Sequence, residues 1–395
     1  MKDILSGRLG NSKAINMEGP IYLDYNATTP IDAEVINEMM PFIQTHFGNP
    51  SGSYAFGRHT KAAIEKARIQ VAACIGSLPE EIIFTSGGTE SNNHAILGAA
   101  FANQTKGKHI ITSSIEHPAV INVCKHLISL GWEITWLPVD IFGTVNPDDV
   151  DKAVRPDTVL ITIMQANNEV GTIQPIKKIA EIARKKNILF HTDAAQSVGK
   201  IETNVNELDV DLLSIAGHKL YAPKGIGALY LRKGVKLENL IFGAGQERGQ
   251  RAGTENVPYI VGLGKACELA HKNLSTNSQH LFQMRQRLLD GLKEKSGSAI
   301  KVNADLDNCL PNTLSIAFDK VEAHVLASAI SSDVCISTGS ACHADSVELS
   351  PVLKAMKVDW KIAAGTVRIS TGKFTTEAEI DRAVEVITNA VNKLK

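Results

Sequence analysis

The chain has 395 residues, with 41 lysines and arginines against 42 aspartates and glutamates and a formal net charge of −1. That balance, without blocks of like charge, excludes a polybasic surface for nucleic acid or anionic lipid. No apolar run reaches the roughly 18 residues a membrane-spanning helix needs, and the length exceeds what one core usually holds, so two domains are expected. Six cysteines (Cys74, Cys124, Cys267, Cys309, Cys335, Cys342) form no CxxC pair. This argues against a disulfide scaffold or a structural zinc site and for a reducing cytoplasm, with no metal expected. The first twenty residues lack the apolar stretch of a secretory signal and are expected to be a polar, mobile lead-in.

From Ile21 the pattern is that of an α/β protein. After the short apolar stretch Ile21 to Asp24, Asn26-Ala27-Thr28-Thr29-Pro30 is a turn whose asparagine or threonine can cap a helix starting near Pro30. Asn49 to Ser53 is a polar loop, and Thr60 to Ile75 has helical apolar spacing that places Cys74 on the buried face. Glu81 to Thr85 is expected as a strand. The run Ser86-Gly87-Gly88-Thr89-Glu90 after it allows a tight turn into a helix, whose free first-turn N–H groups and Thr89 hydroxyl can seat a phosphate. The same residues can also start a helix that binds nothing.

Further strands are expected at His109 to Thr112, Val159 to Met164, Ile188 to His191, Val210 to Ile215 and Ala228 to Arg232. Helical stretches between them imply a mostly parallel sheet covered on both faces. Ligands of such sheets gather at the carboxyl ends of the strands. Thr89, His117, Asn168, Asp193, Gln196, His218 and Lys219 all follow strands shortly, so they are expected to share one site. Individually each has a plainer reading: His117 or Asp193 as a helix cap, Lys219 as a solvated lysine. Together they match the needs of pyridoxal phosphate, which requires a lysine for its aldehyde, a phosphate seat, a carboxylate for the pyridine nitrogen and a partner for the ring hydroxyl. Lys219, at a strand end after small residues, suits the Schiff base, because a partly dehydrated amine loses its proton readily.

The segments FTSGGTESNN, QANNEVGTIQP, HTDAAQSVGK, SIAGHKLYAPKGIGALYLR and GQERGQRAGTEN resemble, in the same order, the NifS/IscS cysteine desulfurases, class V of the fold-type I pyridoxal-phosphate enzymes. The resemblance runs from about Ile21 to the C-terminus. It implies a large domain (residues 24–271) with a mostly parallel sheet and helices on both faces, plus a smaller α/β domain (272–395) on which residues 1–23 pack or remain mobile. It also implies that Lys219 carries the cofactor, Asp193 pairs with the ring nitrogen, His117 stacks on the ring and Gln196 bonds its hydroxyl. Gly88, Thr89 and His218 would hold the phosphate, and Thr254 would reach the phosphate of a partner subunit in a homodimer. Asn168 and Arg368 would hold the substrate carboxylate, a task suited to a planar guanidinium. One departure is Ala216, where many relatives carry a phosphate-binding serine.

Late in the chain, Val334 to Ser337 is strand-like, and a flexible loop is expected over residues 338–351. Cys342 in that loop matches the family's cysteine that takes sulfur as a persulfide. A thiolate is the attacking species, so mobility and nearby cations matter more than burial. His343 could activate the thiol or merely solvate the loop, and Cys335 is expected to be structural. Helices are expected at Gln279 to Lys295 and Thr376 to Lys393, with a strand at Thr313 to Ala317. The implied activity is conversion of L-cysteine to L-alanine, with sulfur passed to an iron–sulfur scaffold or a sulfur carrier. Selenocysteine lyase is the near rival: Ala216 and the Ala-Cys-His run at 341–343 look like that branch, whereas Pro118 after His117 does not. An aminotransferase would have no use for Cys342, and a non-catalytic platform would not fill every catalytic position.

Overall fold

A computed structural model of the chain describes residues 19–296, 300–338, 340–343 and 346–395, the side chains of 340–343 and 346–348 excepted. The first described strand is the short Ile21–Tyr22 (β1). Seven later runs, Ile82–Thr85 (β2), His109–Ser113 (β3), Glu133–Leu137 (β4), Thr158–Thr162 (β5), Leu189–Asp193 (β6), Leu212–Ala216 (β7) and Gly227–Leu231 (β8), make one sheet in the order β2-β8-β7-β6-β5-β3-β4. The pairs β3/β4, β3/β5, β5/β6 and β6/β7 are parallel, and β8 runs antiparallel to both its neighbours.

Successive side chains of a strand point to opposite faces, and the apolar pairs divide accordingly. Phe84, Ile111, Ile161 and Leu213 pack into one core with the helices Ala33–Gln44, Ala55–Ile75 and Val257–Lys272. Ile83, Ile110, Leu160 and Leu212 pack into another, against the helices Gly88–Asn103 and Pro118–Ser129. Burial on both faces explains why β3, β5, β7 and β8 have no exposed residue. The edge strand β4 is half exposed and lacks that continuous apolar run, which is why sequence periodicity did not reveal it.

The later part of the chain forms Ile300–Val302 (β9), Thr313–Phe318 (β10), Val334–Cys335 (β11), Ser337–Thr338 (β12), Ser340–His343 (β13), Ser346–Leu349 (β14) and Thr366–Ser370 (β15). An antiparallel sheet, β12-β15-β10-β9, packs against the helices Leu274–Ser296 and Glu377–Leu394 around Leu288, Leu314, Ile316, Val367, Ile369 and Ile380. Thr376 and Glu379 form a capping box at the start of the last helix. β1 pairs in parallel with β11, and Leu23 is buried in this smaller core. The described residues before Asp24 therefore pack on the smaller unit, and the chain crosses to the larger one after it. Val352, Leu353, Met356 and Ala363 return to the larger core.

Several expected boundaries are corrected. The first helix starts at Ala33 with Asp32 as its cap, not near Pro30, because the asparagine and threonines of the preceding turn bond elsewhere. The helix expected from Thr60 begins at Ala55. Val334 to Ser337 is not one strand: it breaks at Ile336, so that its halves join β1 and β15. Within 338–351, the backbone forms a two-stranded antiparallel hairpin with Cys342 opposite Val347. The expectation for residues 1–18 lies outside the described residues.

The helices Ala55–Ile75 and Val257–Lys272 meet at Gly264, where an added Cβ would lie 2.6 Å from the Cα and Cβ of Ala67. Gly264→Ala is expected to force the helices apart at a cost of about 1–3 kcal/mol, measured by denaturant unfolding.

Candidate active site

Strand register builds the site. Ala216 pairs with Gly227, and Gly227 pairs with Thr85, so the ends of β7 and β2 are level although they are not neighbours. The helix Gly88–Asn103 therefore opens beside Lys219. The carboxyl ends of β3, β5 and β6 bring His117, Asn168 and Asp193 to the same edge. A cavity of about 600 Å³ is lined by Gly88, Thr89, His117, Asn168, Asp193, Gln196, Ala216, His218 and Lys219.

At one end the first turn of the 16-residue helix Gly88–Asn103 faces the cavity with N–H groups that have no intrahelical partner. Gly87 has φ +150°, a conformation that favours glycine, and a Cβ on Gly88 would sit 3.1 Å from that of Ala216. Glu90 closes this end. Burial opposes its charge, but Arg251, at 2.8 and 3.2 Å, and the Ser86 N–H, at 2.9 Å, hold it below the usual carboxylate range. The ring of His218 lies 3.2 Å from the Thr28 hydroxyl, and burial with Lys219 and Lys224 pushes it down to about 4. It is thus a neutral partner for an anion at neutral pH.

Deeper in the cavity, Asp193 accepts from the Asn92 amide at 2.7 Å and from the Ala195 N–H at 2.9 Å. The second bond is a local turn contact, so the capping geometry exists and the carboxylate still lines the cavity. Asn92 Oδ1 is buried without a partner among the described residues. Behind Asp193, burial raises the Glu116 carboxyl to about 8 despite bonds from the Ser113 hydroxyl and the Met164 N–H, with Asp193 adding to the rise. His117 Nδ1 accepts the Ala119 N–H at 3.1 Å, capping the helix Pro118–Ser129. Burial lowers its pKa, Asp193 opposes this and Lys219 adds to it. The cap and the cavity-lining position of His117 coexist.

Lys219 Nζ donates to the backbone carbonyls of Asn26 and Ala27, the latter at 2.9 Å. Burial, then Arg368, lowers its pKa to about 8, against the pull of Asp193 and Asp24. Asn26 was read only as a turn residue. It is 1 % exposed, and its carbonyl also accepts from Gln196 Nε2 at 3.0 Å. Its amide donates to Thr313 Oγ1 at 2.8 Å and accepts from Asn312 at 3.0 Å, joining the two units. No local signal separates this asparagine from an ordinary cap, because its partners are about 170 and 290 residues away.

Two predicted residues, Arg368 and Thr254, lie apart from the cavity lining. Arg368, on β15, donates to Asp24 at 2.6 Å and to the Asn168 carbonyl at 3.0 Å, and its buried Nε has no partner among the described residues. Thr254 is exposed in an adjoining cleft of about 260 Å³ with Ser86, Gly225 and Arg251. Its loop is held by the buried pair Arg68–Glu247 at 2.8 Å. The backbone of Cys342 and His343 is on β13, while their side chains lie outside the described residues.

A carboxylate deep in the cavity, a helix-end anion seat, a neutral imidazole and an amine of lowered pKa fit pyridoxal phosphate. The profile of the aminotransferase class-V family, whose enzymes depend on that cofactor, matches residues 21–383, and the chain belongs to this family. Over 380 residues it is 50 % identical to a cysteine desulfurase IscS of Dictyoglomus turgidum, covering 96 % of each chain. To the cysteine desulfurase IscS of Methanosarcina thermophila it is 48 % identical, over 95 % of this chain and 93 % of that one. Among solved structures, a NifS-like protein superposes with a TM-score of 0.89 at 40 % identity, covering 95 % of this chain and 100 % of the other. SspA in complex with cysteine superposes at 0.80 and 39 %, over 90 % and 100 %.

With the cofactor removed, the Lys219 amine is expected to titrate near 8, charged below and nucleophilic above. Arg368→Gln removes a positive charge, so the midpoint should rise toward the ordinary value of about 10.4. The pH dependence of the rate of reductive methylation at Lys219, read by mass spectrometry, measures both.

Proposed function

We propose that the chain converts L-cysteine to L-alanine and carries the released sulfur on Cys342 as a persulfide. The observation that carries this reading is the convergence of Lys219, Asp193 and the first turn of Gly88–Asn103 on one cavity. Pyridoxal phosphate bound there would supply an electron sink for the carbanion formed at the substrate Cα. Lys219 would attach it, Asp193 would hold the proton of the ring nitrogen, His117 would lie over the ring and Gln196 would meet the ring hydroxyl. Gly88, Thr89 and His218 would hold the phosphate.

Asn168 and Arg368 would bind the substrate carboxylate. Arg368 gives one N–H of NH1 to Asn168 and one of NH2 to Asp24, so three of its five N–H donors, including the Nε that is unpartnered among the described residues, are left for a ligand. Lys219, released by the substrate amine, would take the Cα proton; an amine pushed down to about 8 is partly neutral at physiological pH and can accept it. The Cys342 thiolate would then attack the substrate Sγ. An S–S bond forms as the Sγ–Cβ bond breaks, its electron pair stays on carbon, and protonation of that carbon yields the methyl group of alanine.

The relatives named cysteine desulfurase support this substrate for the present chain. A homodimer is supported by the exposed Phe47, Tyr54, Phe56 and Phe242, which are 54–82 % accessible in the single chain. Thr254 would reach the partner's phosphate across that interface. An iron–sulfur scaffold or sulfur-carrier protein would be the acceptor. A cytoplasmic setting agrees with five described cysteines that are free and with the absence, among the described residues, of a helix long and apolar enough to cross a membrane. The division into residues 24–271 and 272–395 is supported by the separate cores, with 351–364 returning to the larger one.

Alanine and sulfide release from L-cysteine, measured beside alanine and selenide release from L-selenocysteine, tests the reading. Wild type should turn over cysteine, and Cys342→Ala should lose that reaction by orders of magnitude while keeping the cofactor's visible absorbance. Brisk selenocysteine turnover without cysteine turnover would assign the lyase reaction instead.

A further inference from the structure

Lys200 is 7 % exposed, and among the described residues no carboxylate pairs with it. Its Nζ donates to Gln196 Oε1 at 2.9 Å and to Asn26 Oδ1 at 3.3 Å. The charges that bear on it are Lys219 and Arg368, both positive, and burial with these two pushes its amine down to about 7. Keeping an amine in such surroundings is costly, and a methionine of similar length would avoid the cost. What methionine cannot do is donate a hydrogen bond to Gln196.

A glutamine amide has an accepting oxygen and a donating NH₂ group, and rotating it by half a turn exchanges them. With Oε1 engaged by Lys200, Nε2 is left to face the Asn26 carbonyl, which also receives Lys219. We propose that Lys200 is a positioning residue: it locks the Gln196 amide so that an N–H, and never the carbonyl, is presented to the oxygen on the cofactor ring. The lock survives titration of the lysine, because both the ammonium and the neutral amine donate. An N–H favours the anionic ring oxygen, whereas a carbonyl would favour the protonated one. The inference rests on the reading that Gln196 meets the ring hydroxyl.

The test is a pH titration of the visible absorption band of the holoenzyme without substrate, in wild type, Gln196→Ala, Lys200→Met, Lys200→Arg and the double variant Gln196→Ala/Lys200→Met. Lys200→Met is expected to move the apparent pKa in the same direction as Gln196→Ala, by about one unit or tenfold in the proton-binding constant. Lys200→Arg, which keeps a donor, should remain near wild type, and the double variant should shift no further than Gln196→Ala. A wild-type midpoint in Lys200→Met beside a shifted Gln196→Ala overturns the role of Lys200 and leaves that of Gln196 standing. Additive shifts in the double variant also overturn it, since Lys200 would then act by charge alone. An unshifted Gln196→Ala overturns the underlying reading of Gln196. If methionine prevents folding, Lys200→Leu, which also has no donor, replaces it with the same expected shift and the same overturning result.

Discussion

The backbone carbonyl of Asn26 receives Lys219 and Gln196 from the larger unit, while the Asn26 side chain bonds Asn312 and Thr313 of the smaller one. The crossing of the chain between two cores is thereby also the anchor of the proposed catalytic lysine. Buried polar groups must be hydrogen-bonded or they cost stability, and here the bonds that satisfy one unit are made by the other. Asn26 thus joins residues of the smaller unit and the lysine amine through direct hydrogen bonds.

The electrostatics follow the same geometry. Lys219 lies between positive Arg368 and negative Asp193 and Asp24, and burial together with Arg368 outweighs the two carboxylates. The neighbouring imidazoles are lowered as well, His218 to about 4, so cationic character is kept from them. Glu116 is driven the other way, which leaves Asp193 without a charged acidic neighbour there near neutral pH. Shifted groups gathered in and behind one cavity are a recurring mark of functional sites.

Much of this was legible in the chain itself. The apolar runs of β3, β5, β6 and β7 show at once as buried strands, and the polar residues directly after them fall at the sheet edge where ligands gather. Nine residues named from sequence, including Ala216 and Lys219, line one cavity. Strand β4 and the hairpin of β13 and β14 were missed because neither has a strong apolar period. Asp32 replaced the expected cap because Thr29, one of the candidates, bonds the backbone carbonyl of His218 instead.

The sequence alone determined the strand-and-helix rhythm, the tight turn at Gly87-Gly88 and the residue types available for chemistry, since these depend on local periodicity and backbone freedom. Only the tertiary structure decided that the ends of β2 and β7 are level, that Asp24 shares Arg368, that Thr254 occupies a separate cleft, and that Lys200 is buried against Gln196 and Asn26. Those outcomes depend on pairings between residues tens to hundreds of positions apart. Nothing in local periodicity encodes which of several equally polar side chains will be enclosed by them.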